Sequence, residues 1–209
     1  MLGSWKVNVN VDGMPQKVAT AVGKLGETLI GAEYKPIAYL GSQVVNGTNH
    51  AVLAEQTVLT GKDSKNIVVL TFNEKQGEME ATLTGIDTVI KSGGELGGIV
   101  VDATTDIPAE AKEALDTVLE GYVGAKIEPF AYLGSQVVKG VDYIFAATIT
   151  PVVQDPVPTV AIVKANAMTH TFNGTDLLCD KTTTAALGYA FTWLKYGDNF
   201  VGAPLGEWP

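Results

Sequence analysis

The stretch "AYLGSQVVNGTNH", Ala38–His50, returns almost unchanged as "AYLGSQVVKGVDY", Ala131–Tyr143. At its centre lies Asn46-Gly47. Asn-Gly between β-rich flanks is the strongest short-range signal for a hairpin, because both residues tolerate positive φ. Lys139-Gly140 takes that place in the second copy. An offset of 93 positions carries Gln43 onto Gln136, and ten of the twelve residues of Pro36–Gly47 are identical in Pro129–Gly140. The same offset carries Pro15 onto Pro108, Gly31 onto Gly124 and Asn73 onto Asn166. A repeat this long means two similar domains rather than a solenoid.

The joint is expected near "KSGGELGG", Lys91–Gly98, where four of eight residues are glycine and the chain should flex. The first domain is then residues 1–93 and the second 94–209. The surplus at the end, about residues 181–209, has no counterpart in the first copy.

Val18, Val22, Leu25 and Leu29 recur at helical spacing after Pro15, as do Ala111, Leu115, Val118 and Tyr122 after Pro108. Such spacing marks one face of a helix. Asp106 reads as a cap, Pro108 as a first-turn residue, and Gly31 and Gly124 as exits. Gly23 and Gly26 weaken the first helix by about 1 kcal/mol each relative to Ala. The run "YIFAATIT" alternates Tyr143, Phe145, Ala147 and Ile149 on one face of a strand. "NIVVLTF" and "TVAIVKA" are further β-rich runs. The order is a short strand, one helix, then an antiparallel meander, with one sheet face covering the helix. The expected class is α+β.

The chain has 209 residues, 46% hydrophobic, and a net charge of −9. That is enough apolar material for packed cores. The acidic balance argues against nucleic acid or an anionic membrane surface as partner. No apolar run approaches the roughly 20 residues of a membrane span. "MLGSWKVNVNV" shows no signal peptide, so the chain reads as cytoplasmic as given, or secreted if its start has been trimmed. Cys179 is the lone cysteine. It cannot form an internal disulfide, and within "LLCD" it reads as a small core residue before it reads as a nucleophile.

A helix followed by a hairpin whose turn reads Gln-x-Val-x-Gly resembles the cystatin family of cysteine-protease inhibitors. "SQVVNGTN" is similar to the stefin and plant-cystatin loop, and "QVVKGVDYIF" to that of secreted animal cystatins. The resemblance covers most of residues 1–90 and 95–170. It implies two cystatin-like domains, each with one helix packed on an antiparallel sheet. It also implies a wedge that enters the cleft of a papain-like cysteine protease. The trunk of the wedge would be Gly3 in one copy and Gly97 or Gly98 in the other. Its hairpin would be Gln43, Val44, Val45, Asn46 and Gly47, and Gln136, Val137, Val138, Lys139 and Gly140. Glycine at the tip would let backbone approach the cleft closely, and the valines would meet its walls. The family's third part, a second hairpin with Pro-Trp, is missing. The turn near Asn73–Glu78 has no tryptophan, and the one near Met168–Gly174 has His170 and Phe172. Trp208-Pro209 is reversed and lies at the chain end.

The alternative is a non-inhibitory binding or structural module for adhesion, carriage or assembly. No enzyme is expected. His50 and His170 stand in different copies, and His50 reads as a strand residue beside the hairpin. No His/Cys cluster has metal spacing, no phosphate loop or Gly-x-Ser-x-Gly elbow is present, and no cofactor is implied. Asn46 and Asn173 each begin Asn-Gly-Thr, a glycosylation acceptor in a secretory pathway; a glycan on Asn46 would block the wedge. "AALGYAFTWLKY", Ala185–Tyr196, reads as a further strand, as packing or as a partner surface.

Overall fold

The structure is a computed structural model. It describes residues 3–59, 64–93 and 97–178, and the backbone of Phe191–Tyr196 and Asn199–Pro204. The chain divides into two compact units, Met1–Ser92 and Gly93–Pro209. The first unit runs β1 (Trp5–Asn10), α1 (Gln16–Gly23), α2 (Leu25–Thr28), β2 (Ala32–Val45), β3 (Gly47–Val58), β4 (Ser64–Glu74) and β5 (Thr82–Lys91). Its sheet has the order β1-β2-β3-β4-β5, antiparallel throughout. The second unit runs β6 (Ile99–Thr104), α3 (Ala109–Leu119), β7 (Ala125–Val138), β8 (Gly140–Pro151), β9 (Thr159–Asn166), β10 (Thr171–Asp176), β11 (Phe191–Tyr196) and β12 (Asn199–Pro204). Its seven strands follow the order β12-β11-β10-β9-β8-β7-β6. The aromatic stretch near the C-terminus thus supplies β11, which pairs with β10 and β12. Cys179, Trp208 and Pro209 lie outside the described residues.

This architecture corrects the expected class. The chain is mostly β, not α+β with two cystatin-like domains of one helix packed on a sheet. Among the described residues twelve strands stand against three helical segments. Two physical causes lie in the sequence. The first helix does not persist: it stops after Gly23, and Lys24 separates it from a four-residue second piece, where Gly23 and Gly26 both lower helix propensity. The central strands, in turn, are not half-solvated. Val52 and Ala54 face the cluster of Val18, Val22 and Leu25, together with Tyr39, Val68, Leu70 and Phe72. Ala51, Leu53 and Ile67 point to the opposite face and are fully buried as well. In the second unit Phe145, Ala147 and Ile149 join Ala111, Leu115 and Val118, yet Ile144 and Ala146 between them are equally buried. Near-continuous apolar runs mark strands buried on both faces. At about 1.5–3 kcal/mol for each large side chain fully buried, most of the apolar stabilisation comes from strands.

Local expectations shift too. Pro108 stands at the N-cap of α3 without a side-chain cap bond, and Asp106 receives no capping role; its own amide bonds to the Thr104 hydroxyl. Past the end of α3 it is Gly121, at φ +74°, that takes the left-handed conformation.

Strand β2 bulges against β3 between Tyr39 and Gly41, and β7 repeats the bulge against β8 between Tyr132 and Gly134, where β1 and β6 pair along their other edges. A Cβ on Gly41 would overlap the Lys6 carbonyl, and one on Gly134 the Val100 carbonyl. Glycine therefore lets the edge strand reach the hairpin base. Gly41→Ala and Gly134→Ala should each cost about 1–3 kcal/mol by overpacking. Urea unfolding measures the loss. Hydrogen exchange should locate it in the amides of Trp5–Asn10 and Ile99–Thr104 respectively.

Candidate protein-binding edge

Strands β2 and β3 close into a hairpin over a single residue. Gln43 faces Asn49, Val44 faces Thr48, Val45 faces Gly47, and Asn46 is the apex. Strands β7 and β8 close identically over Lys139. Gly47 sits at φ +96° and Gly140 at φ +87°, a region L-residues with a Cβ seldom adopt. A Cβ on Gly47 would lie 2.5 Å from the Glu74 carbonyl oxygen, and one on Gly140 2.8 Å from the Met168 Cβ. Both glycines are thus fixed by the chain's own packing, and they shape the tip rather than present it.

The trunk glycine meets the hairpin through one side chain. Gln43 Nε2 donates to the Gly3 carbonyl at 2.6 Å, while Gln43 Oε1 accepts from Asn49 Nδ2 at 3.1 Å. Asn73 Nδ2 continues the line to Asn49 Oδ1 at 2.8 Å. In the second unit Gln136 Nε2 donates to the Gly97 carbonyl at 2.8 Å. Lys164 Nζ lies 3.5 Å from Gln136 Oε1. Asn166 Nδ2 donates to Asp142 Oδ1 at 2.7 Å and to the Lys139 carbonyl at 3.1 Å, and Asn166 Oδ1 accepts from the amides of Met168 and Thr169. Gly98 takes no part; it lies against the Gly93 backbone. Asn73 and Asn166 were visible in the sequence as a pair at the repeat offset, but that signal carries no role. Here each ties the fourth strand to the hairpin.

What this frame leaves exposed is apolar: Val44 and Val45 in one unit, Val137 and Val138 in the other. Asn46 and Lys139 are exposed at the two tips. Met168, which sequence reasoning passed over, lies exposed against Gly140 and extends the second edge. Phe172 is instead a core residue, and His170 occupies a tight turn at φ +51°. The second turn of the first unit folds back over the helix: Glu80 pairs with Lys24 at 2.6 Å, and the Ala81 amide bonds to the Lys17 carbonyl.

Beneath the first hairpin His50 is buried. Its Nδ1 lies 2.9 Å from the Tyr39 hydroxyl. Its Nε2 lies 3.4 Å from Glu74 Oε2, within ion-pair range but not aligned as a hydrogen bond. The direction of the Tyr39–His50 hydrogen bond is set by the imidazole tautomer. Lys17 holds the other Glu74 oxygen at 2.9 Å. Burial pushes the His50 pKa down, against the pull of Glu74. The Lys17 ammonium lowers the Glu74 carboxyl.

Among the described residues no cluster of His, Cys, Asp and Glu could hold a metal, and no helix is long and apolar enough to cross a membrane. No protein-family model, no curated protein and no solved structure matches the chain.

The His50 and Glu74 shifts fix the acid response of the first unit. A histidine lowered on folding is protonated first in the unfolded chain. Its stability contribution is whole above the ordinary 6.5 and declines as pH falls below it. Glu74 acts lower, losing its contribution as pH falls below the ordinary 4.5. Melting temperature should therefore fall in two stages on acidification, and His50→Gln should remove the first stage and shrink the second, because His50 also helps lower the Glu74 carboxyl. Thermal unfolding across pH, wild type against variant, decides it.

Proposed function

We propose that the chain inhibits papain-like cysteine proteases with two wedges, one per unit. A single observation supports this most: in each unit a glutamine amide clasps the trunk glycine carbonyl to the hairpin, so trunk, paired valines and tip form one edge. A protease cleft demands a narrow insert that resists cleavage. The tip is closed by a cross-strand pair on both sides, so it cannot relax into an extended substrate-like strand. Being pre-organised, it loses little entropy on entry. The similarity of the Gln-x-Val-x-Gly hairpins to those of cystatins points to the same target class. A standard inhibitor interface takes about 800 Å² per partner, within reach of a hairpin and trunk. Lys139 distinguishes the second wedge, since an ammonium buried without a partner is costly. That wedge favours a cleft with a carboxylate near its floor.

Titration of papain and a cathepsin L-type enzyme with a fluorogenic peptide substrate tests the proposal. Glycine substitutions at the tip are unsuitable, because Gly47 and Gly140 hold the hairpins themselves. Val45→Asp and Val138→Asp alter exposed side chains instead. Each should weaken its own head by about a hundredfold or more through a desolvated, unpaired carboxylate, and the double variant should be inert. Two proteases bound per chain would show both heads at work. No inhibition at about 10 μM protein, a weak-binding ceiling, would exclude this protease class.

A further inference from the structure

We propose that Asn46 is a site of spontaneous deamidation, so that the first hairpin carries a chemical timer that the second lacks. The chain holds the dipeptide Asn-Gly twice, at Asn46-Gly47 and Asn173-Gly174, and the fold treats the two oppositely. Asn46 belongs to neither strand: β2 ends at Val45 and β3 begins at Gly47. It is exposed, and its side-chain amide makes no hydrogen bond among the described residues. The Asn73 Nδ2 contact to its carbonyl is long, at 3.5 Å against 3.1 Å for the matching contact to Lys139. Asn173 and Gly174 lie inside β10, where they face Lys164 and Val163 in the ladder with β9.

The chemistry needs no group beyond water. The backbone nitrogen of Gly47, on losing its proton to solvent base, attacks Cγ of Asn46. The N–Cγ bond forms, the Cγ–Nδ2 bond breaks, and ammonia leaves with a proton from solvent. Water then opens the five-membered imide at either carbonyl carbon, giving aspartate or isoaspartate. Glycine favours the attack because no Cβ obstructs the nucleophilic nitrogen or limits the φ it passes through. At the tip only Gly47 is paired, in the last pair of its ladder with Val45, whereas in β10 both residues of the dipeptide lie inside the ladder, so the attack there waits on wider local opening. Lys139 at the second tip has no amide to lose.

The product changes the edge. A negative charge appears at an apex flanked by Val44 and Val45, and isoaspartate also inserts an extra backbone carbon between Val45 and Gly47. The consequence for protease binding rests on the inhibitor reading; the conversion does not.

Incubating the folded full chain in mildly alkaline buffer at body temperature, with peptide mapping by mass spectrometry over time, tests this. Asn46 should convert at least about tenfold faster than Asn173, the margin that ladder opening imposes. The chain unfolded in denaturant should convert both at similar rates. Asn46→Gln should abolish the early acidic shift on isoelectric focusing. Asn46 staying intact in the folded chain while converting in the unfolded one would overturn the proposal. So would Asn173 keeping pace with it in the folded chain.

Discussion

The Gln43 side-chain amide uses both of its ends at once. Its nitrogen holds the Gly3 carbonyl and its oxygen receives Asn49, and through Asn49 the line reaches Asn73 on the fourth strand. Three strands and the segment leading into β1 are thereby joined near one end of the sheet, directly below a one-residue turn. A carboxylate there could accept from Asn49 but could not donate to a carbonyl; an aliphatic residue could do neither. The tight tip then follows from the rest: the backbone can reverse over one residue because Gly47 accepts φ +96°, and the strand beneath is tied on both sides. Gln136 repeats the nitrogen end of this arrangement on Gly97.

Around that shared frame the two units differ in their chemistry. Where the first unit has His50 beneath the hairpin, the second has Tyr143 at the same offset, and Glu110 stands where Lys17 stands. Burial raises the Tyr143 hydroxyl, with Glu110 and Tyr132 adding to it. The first unit therefore places a histidine, lowered by burial below its ordinary value, under its edge, where the second places a phenol raised by burial. The supports differ as well. Asn73 reaches the first tip at long range, while Asn166 grips the second through the Lys139 carbonyl and also fixes the following turn. A neutral tip and a basic one, differently supported from below, stand on nearly the same letters.

Much of this was legible in the sequence, and the exceptions have physical reasons. The repeat offset, the two hairpins with their apices, and the buried helix face of Val18, Val22 and Leu25 all follow from local pattern. Class does not, because alternation is only part of the signal in "YIFAATIT". Ile144 and Ala146 are apolar too, and a run apolar at every position describes a strand buried on both faces. The trunk register was also ambiguous. From Pro15 onward the copies align at 93 positions, but the first strands align one residue further on: Trp5 and Ile99 face Gln43 and Gln136. One extra residue in the loop before the first helix explains why Gly97, not Gly98, is the glycine whose carbonyl the hairpin glutamine holds. Asn73, Asn166 and Met168 escaped because their roles arise from cross-strand neighbours, which no spacing along the chain reveals.

A hairpin tip that must stay rigid and a tip that must vary are usually in conflict, since apex residues also set turn geometry. Here the two demands fall on different residues. Positive φ is taken by Gly47 and Gly140, whose missing side chains face inward against Glu74 and Met168. Order is taken by Gln43 and Asn73, and by Gln136 and Asn166, from below. The apex itself supports nothing else, so asparagine and lysine are interchangeable there without disturbing the reversal. The same separation leaves Asn46 chemically vulnerable: a residue free to vary is also a residue nothing protects.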